Sequence, residues 1–545
     1  MKDETRYIRE KIEALRGSRY AELVRERAAI DTRALAAFRI SAGILIIADL
    51  LLRLRNFDFF YTNRGVVPLE LAREAAPEQA FSVYFLSGSP EFTAAMFLVT
   101  GLVAVALTAG YRTRLSTLVS FLLVISLDYR NVMVTSYADT LFRHLLFWGI
   151  FLPLGERWSL DSLWSDGAQR QEVVSLASFM ILLQVVAMYF VNSIHKLYSP
   201  IWMDGTATPL ILGRDSMTFL LGDYITQFPV LLKYGGFAWL LLLLFSWLML
   251  ALEDRYRSLY AAALMVFEFM MMVTVRIGAF PYVSVAGLML FLHSGFWDRL
   301  EAHLPVSGSL AAFRDRLESQ GDPLKGRGSF SIPHRNSLRR YLSVLASAIV
   351  VISAANMAVA NLGTLNVIDD KKVPLQKEVT EVKKVFHVNE PSWTIFAPMN
   401  DVQEGYFVIA ATTENGSLRD IYNERPLKFT RPSKNLNEVF PTYRHRFYMG
   451  SELRERGAAR EYLQYLCRTW GRAGMRLDYL TTYHYIENVT MGTLNEPYNR
   501  SRDRKVYHAW DCGKGGVKKI NEFSGHDFRM PRISREQLII ARRGG

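Results

Sequence analysis

The sequence predicts an all-α polytopic membrane bundle of about nine transmembrane helices that carries a small α+β extracytoplasmic C-terminal domain. Three observations predict it. Long stretches carry no charge: Val173 to Ile194 and Tyr341 to Leu362 are 22 residues each, Phe92 to Gly110 and Tyr234 to Leu252 are 19 each. At 1.5 Å per helical residue, each suffices for roughly 30 Å of hydrocarbon. Lys and Arg collect in alternate connections, 23 on one side of the nine-helix arrangement against 9 on the other. Beyond Leu362 the chain turns polar and holds no further apolar stretch.

Met1 to Arg33 is a charged lead-in with Arg and Glu at helical offsets, and it lacks the apolar run of a cleavable leader. Ala34 to Leu52 is the first expected span and contains Arg39 and Asp49; Arg39, one turn in, is expected to snorkel to the cytoplasmic interface. The other expected spans are Phe92 to Gly110, Tyr111 to Leu127, Leu141 to Leu154, Val173 to Ile194, Tyr234 to Leu252, Leu259 to Val275, Ile277 to His293 and Tyr341 to Leu362. Arg143, His144 and Pro281 interrupt or shorten some of these, where a re-entrant segment is the alternative. The domains are therefore 1–33, a transmembrane unit 34–295, a basic loop 296–340, a last span 341–362 and an outer domain 363–545. The charge bias puts the N-terminus in the cytoplasm, and an odd number of crossings puts the outer domain on the far side of the inner membrane.

Within the outer domain, strands are expected from Trp393 to about Thr430, with Asn415-Gly416 as a turn, and an amphipathic helix over Glu452 to Trp470. Cys467 and Cys512 are the two cysteines of the chain. In an oxidising compartment they form a disulfide, otherwise they are structural thiols, and no multi-cysteine metal site can be built from them.

The net charge of +12 and the pI near 9.5 would suit nucleic acid, but the basic residues flank apolar spans, so they mark topology and contact with membrane lipids. Ionisable groups inside spans are costly and hence candidates for function: Arg39, Asp49, Arg143, His144, His195, Lys196 and Glu268. Glu268, near mid-span among methionines, calls for a polar partner across the bundle. The string from Tyr189 to Gly205 delivers His195 and Lys196 at a helix end, turns at Pro200 and sets Trp202 at interface depth. Lys and Trp are ordinary interface anchors; a desolvated amine can also serve as a general base. The residues alone leave both readings open.

FDFFYTNRGVVP at Phe57 to Pro68, LPLGERWSLD at Leu152 to Asp161, Lys196 followed by Trp202 and Gly205, and WTIFAPMNDVQEG at Trp393 to Gly405 resemble, in this order, segments of vitamin K-dependent γ-carboxylases and their bacterial HTTM (horizontally transferred transmembrane) relatives. The resemblance implies that Lys196 is the base that deprotonates a reduced naphthoquinone. Asp139, His144, His195, Trp202 and Glu268 are the candidate substrate-binding residues beside it, and no metal is expected. Where the carboxylases have a histidine ahead of the fourth helix, this chain reads Ser136-Tyr137-Ala138-Asp139, and His144 comes about a turn and a half later. That departure argues against carboxylation of a peptide glutamate. Two functions remain in competition: a quinol-dependent oxygenase or epoxidase, and a non-enzymatic scaffold that binds a lipid or quinone and displays the outer domain. A transporter would call for paired broken helices, which the hydropathy does not show.

Overall fold

A computed structural model of the protein describes residues 26–163, 169–304, 335–433, 436–451, 456–492 and 498–519, with positions 308 and 312. Most of the lead-in and of the basic loop lies outside these residues.

The main helices are α1 (Thr32–Leu54), α2 (Pro90–Ala109), α3 (Thr113–Arg130), α4 (Tyr137–Gly149), α5 (Leu176–Leu197), α6 (Pro229–Leu244), α7 (Asp254–Thr274), α8 (Phe280–Leu288) and α9 (Arg335–Thr364). Five are long and apolar enough to cross a bilayer: α1, α2, α5, α7 and the Val344–Thr364 part of α9. The pair Phe280–Phe291 and Ser294–His303, bent by 107°, makes a sixth if it is one span. Against the nine expected, five or six spans meet this criterion among the described residues. The physical reasons are local: α3 carries Arg114, Asp128 and Arg130, α4 has 13 residues and α6 has 16.

α5 is the central helix, 72 % buried over its apolar window, whereas α2, with a higher mean hydropathy of 2.1, is 28 % buried. A helix apolar all round belongs in a core or in lipid; α5 does the first, and α2 turns Leu98, Leu102 and Val105 outward. α1 and α2 pack closely because Gly43 faces Ala104 and Thr108, where a Cβ would come within 2.8 Å of the Ala104 carbonyl. At the end of α2, Gly110 takes φ +69° and closes the helix through its N–H to the Ala106 and Leu107 carbonyls.

Arg39 does not snorkel. It is fully buried, and its guanidinium donates to the carbonyls of Leu154 (3.2 Å), Arg157 (3.3 Å) and Trp158. Three backbone acceptors in the loop after α4 outbid the aqueous interface, so Arg39 holds that loop instead.

The C-terminal region has a helix α10 (Gln376–Val385) and a six-stranded antiparallel sheet of β1 (Val402–Thr413), β2 (Leu418–Asp420), β3 (Arg425–Pro426), β4 (Leu477–Met491), β5 (Tyr498–Asp511) and β6 (Gly516–Lys519), in the order β3-β2-β1-β4-β5-β6. The helices α11 (Tyr443–Ser451) and α12 (Arg456–Arg472) lie between β3 and β4. Along β1, Tyr406 and Val408 enter one apolar cluster with Tyr483 and Tyr485, while Phe407, Ile409 and Ala411 join the main core with Leu463 of α12. Tyr406 stacks on Tyr485 at 5.0 Å and Phe407 on His484 at 4.3 Å, as their opposed register dictates. Cys467 of α12 and Cys512 after β5 are disulfide-bonded, with Cα atoms 5.8 Å apart.

Strand structure expected from Trp393 begins only at Val402. Trp393 to Asp401 runs as an irregular strap, with Trp393 at φ +51° and Phe396 at φ +52°. Its carbonyls are claimed by side chains of α5 and the turn behind it, so they do not join the sheet.

Candidate functional site

The end of α5 builds the site. Tyr189, Asn192 and Lys196 fall at i, i+3 and i+7 on one face, so about 10 Å separates the first from the last along the axis. All three are buried. Asn192 Nδ2 donates to the carbonyls of Trp393 (2.7 Å) and Ile395 (2.9 Å), and Lys196 Nζ donates to Ile395 at 2.6 Å. Ser199 donates to the Met399 carbonyl and accepts from the Met399 N–H at 3.1 Å, while Trp202 Nε1 donates to the Phe396 carbonyl at 2.8 Å. The strap is thus fixed residue by residue onto the bundle.

Lys196 Nζ lies 4.3 Å over the Trp202 ring, and among the described residues no carboxylate lies within 4 Å of it. A buried amine with a π face and one backbone carbonyl as partners is unusual, since charged groups in a protein interior are ordinarily ion-paired. The amine borders a cavity of about 350 Å³ whose walls include Tyr189, Asn192, Trp202, Trp239 and Phe267 and whose rim includes Ile395 and Phe396 of the strap. Trp239 and Phe267 stack at 5.2 Å, giving this cavity a flat aromatic side.

The remaining sequence candidates lie in other places. Glu268 accepts from the Tyr189 hydroxyl at 2.6 Å, so the expected polar partner is a tyrosine that itself lines the Lys196 cavity. His195 points the other way, toward the Ser392 backbone, and does not border that cavity. His144 Nδ1 donates to the Thr140 carbonyl (2.8 Å), and its Nε2 approaches Glu390 at 3.5 Å. Glu390 also meets Lys383 and Gln184, each at 3.4 Å, so this buried cluster ties α4 and α5 to the segment after α10. Burial lowers the Lys383 amine, against the pull of Glu390. Nearby His387 stacks on Tyr129 at 4.2 Å and is held down to about 2 by burial and by Arg143.

Asp139 belongs to an ionic network that sequence reasoning did not assemble. It closes a capping box on Ser136 and meets Arg53 and Arg444, each at 3.2 Å. Arg53 also binds Asp49 (2.6 Å) and Asp128 (3.0 Å), Arg143 binds Asp128 (2.6 Å), and Arg444 of α11 binds Asp49 (2.7 Å). Arg143, which interrupts the apolar segment in the sequence, is held inside the bundle by a buried carboxylate that outcompetes water for it. The network borders a second cavity of about 500 Å³ between α1, α7, α8 and α11.

A third cavity, of about 360 Å³, lies between the tail-covered end of the bundle and the sheet, and shares Ile277, Phe280, Ile395 and Phe396 with the Lys196 cavity. The strap forms the partition. Arg214 and Arg446 border this outer cavity; burial pushes their guanidinium pKa values down to about 9 and about 10. Glu404 is raised, by burial and by Asp215 beside it.

Of the residues the sequence grouped, the structure brings together Lys196, Trp202 and, through Tyr189, Glu268; it separates Asp139, His144 and His195 from them. Among the described residues no three His, Cys, Asp or Glu side chains group closely enough to hold a metal ion. Residues 28–296 match the family model of the HTTM domain. Neither the curated proteins nor the solved structures contain a match to the chain.

Proposed function

Given that residues 28–296 of this multi-pass membrane protein are an HTTM domain, we propose that the chain is a quinol-handling inner-membrane protein in which Lys196 is the base. The observation that carries the reading is the Lys196 amine, buried without a carboxylate at the edge of an apolar, aromatic-walled cavity. Such a cavity, with few polar groups and one basic atom, has the make-up of a site for a hydrophobic cofactor. The residues present fit a reduced naphthoquinone: aromatic walls for the rings, Lys196 at one end and the Tyr189–Glu268 pair about 10 Å along α5. Bound there, the quinol would supply the reducing electrons and the acidic hydroxyl. As a neutral amine, Lys196 can keep one N–H on the Ile395 carbonyl while its lone pair takes that proton. The aromatic walls keep water away, so the proton is not lost to solvent.

The proposal includes nine crossings, with α3, α4, α6 and the Phe280–Phe291 segment added to the five long helices. What supports it is the alternation of chain ends. Arg27 meets the Leu252 carbonyl, Thr32 the Arg170 carbonyl and Arg33 Asp298, gathering one set of connections. Asn56, Val134 and Lys196 all meet the tail, gathering the other. The Lys and Arg bias assigns the first set to the cytoplasm and the tail-bearing set to the far side.

One observation favours a second reading. Lys196 is also a clamp for the strap, which a scaffold would need and a base would not. Lys196→Arg separates the two, because guanidinium can donate to a carbonyl but stays protonated at any working pH. The assay is O2-dependent consumption of a reduced naphthoquinone by purified protein in nanodiscs, with the melting temperature recorded beside it. Lost turnover at an unchanged melting temperature supports the base; full turnover in the variant eliminates Lys196 as the base, and no turnover in the wild type leaves the scaffold.

A further inference from the structure

The outer cavity carries two cations that lack an ion-paired acid among the described residues. Arg214 donates from Nη1 to the Gln403 carbonyl at 3.5 Å and from Nη2 to the Met217 sulfur, its Nε is buried with no partner, and its guanidinium sits 5.7 Å over the Phe396 ring. Arg446 donates from Nη1 to the Ser216 carbonyl at 3.2 Å and lies 5.3 Å over the Tyr443 ring. Among the described residues neither has a carboxylate within 4 Å, whereas Arg431, Arg444 and Arg500 nearby are each held by acids. Glu404 is the acid bordering this cavity among the described residues, and it is already taken by Arg500 (3.1 Å), Arg431 (3.6 Å) and the Ser216 N–H (3.1 Å). The two guanidiniums are close enough to repel each other. Leaving two like charges together in a desolvated space is costly unless an anion enters.

The position of the cavity narrows the choice of anion. It shares Ala138, Ile277 and Tyr443 with the 500 Å³ cavity, whose border includes the outward-facing Leu52, Phe219 and Tyr282, 54 %, 41 % and 49 % exposed. On the membrane reading these side chains face lipid, so the path from the bilayer to Arg214 and Arg446 starts apolar and passes the Asp49, Asp128 and Asp139 carboxylates, which are already held by Arg53, Arg143 and Arg444. A paired guanidinium site matches a phosphate, whose oxygens accept parallel N–H donors.

We propose that Arg214 and Arg446 bind the phosphate of a membrane phospholipid, whose acyl chains lie along Leu52, Phe219 and Tyr282. This site is independent of Lys196 and stands whether or not the chain handles a quinol.

The test uses the full-length protein in detergent, titrated with phosphatidylglycerol and, separately, with inorganic phosphate, and read by native mass spectrometry. We expect one tightly retained phospholipid per chain. Losing a charge-assisted pair costs at least tenfold in affinity, so the double variant R214Q/R446Q is expected to bind at least tenfold more weakly, while R64Q, at an exposed arginine, is unchanged. If the double variant does not fold, R214K/R446K keeps both charges without the bidentate geometry and is expected to weaken retention severalfold. Equal retention in the arginine variants and the wild type overturns the site. Binding of inorganic phosphate with the same arginine dependence but no lipid retention overturns the lipid as its source, and no binding of either overturns the proposal outright.

Discussion

Replacing Asn192 with leucine keeps the number of side-chain heavy atoms and removes two hydrogen bonds from the strap. Asn192 Nδ2 serves both the Trp393 and the Ile395 carbonyl, at 2.7 and 2.9 Å. After the change Ile395 keeps Lys196 Nζ as donor at 2.6 Å. The Trp393 carbonyl is left without its Asn192 partner beside a fully buried indole. One orphaned buried acceptor plus one weakened one costs about 2 to 3 kcal/mol. Trp202 and Ser199 still hold Phe396 and Met399, so the strap is expected to stay docked and to open more often rather than detach. By the conversion of about 1.4 kcal/mol per decade, opening rises roughly 30- to 150-fold. Hydrogen exchange of amides 394–399 in nanodiscs, followed by mass spectrometry, measures that directly. Faster exchange confined to this segment, with the β1 and β4 amides unchanged, is the expected result. Unchanged exchange at 394–399 would refute the idea that α5 side chains hold the strap.

Other perturbations test other parts of the molecule. The Cys467–Cys512 bond closes a 45-residue separation, so reduction is expected to remove about 4 kcal/mol of loop-closure stabilisation from the tail; an unchanged tail melting transition under reductant would contradict it. His445, stacked on Phe59 at 4.7 Å with the Phe60 ring tilted against it at 4.8 Å, has its pKa pushed down to about 4 by burial and by Arg276. A lowered histidine contributes stability that is complete above its unfolded pKa near 6.5 and is lost as pH falls through 4. The melting temperature is therefore expected to drop between pH 7 and pH 4, and His445→Gln is expected to flatten that slope; an equally steep slope in the variant would count against it. Asp128→Asn removes the anion shared by Arg53 and Arg143 inside the bundle. It is expected to cost about 3 to 5 kcal/mol, and a variant that purifies with wild-type melting behaviour would show the network to be dispensable.

How much of this was legible in the sequence varies with the range of the interaction. α5 was readable because 22 uncharged residues can satisfy their backbone within one helix. α3 and α4 were readable as apolar segments, but their charges obey contacts that are not local. Asp128, Arg143 and Asp139 are tolerated because Arg53, on α1, and Arg444, more than 300 residues downstream of Asp139, complete the set. Snorkelling was the locally sensible destination for Arg39, and it failed because three carbonyls in a loop over 110 residues away were a better one. The two longest tail strands escaped notice because β5 reads NRSRDRKV, charged on most positions, and becomes a strand by pairing with β4 along its whole length.

The same distinction runs through the site. Lys196 and Trp202 could be picked out together because a turn at Pro200 keeps them near in sequence, and Tyr189 and Asn192 could have been added from their helical spacing. Nothing in the string around Lys196 says that its acceptor is the carbonyl of Ile395, 199 residues on. Yet that acceptor gives the strap its place in the chemistry. Ile395 and Phe396 border the Lys196 cavity on one side and the arginine-bearing cavity on the other. The bundle therefore does not enclose its own site: without the tail, Lys196 loses its hydrogen-bond partner, Asn192 loses two, and the apolar cavity loses the wall that Ile395 and Phe396 supply. A version of the chain ending at residue 364, after α9, tests this. It is expected to fold as a bundle but to lose both quinol turnover and the protection of Lys196 from an amine-selective reagent. Protection equal to the full chain would mean that the helices alone bury the amine and that the strap is only an attachment.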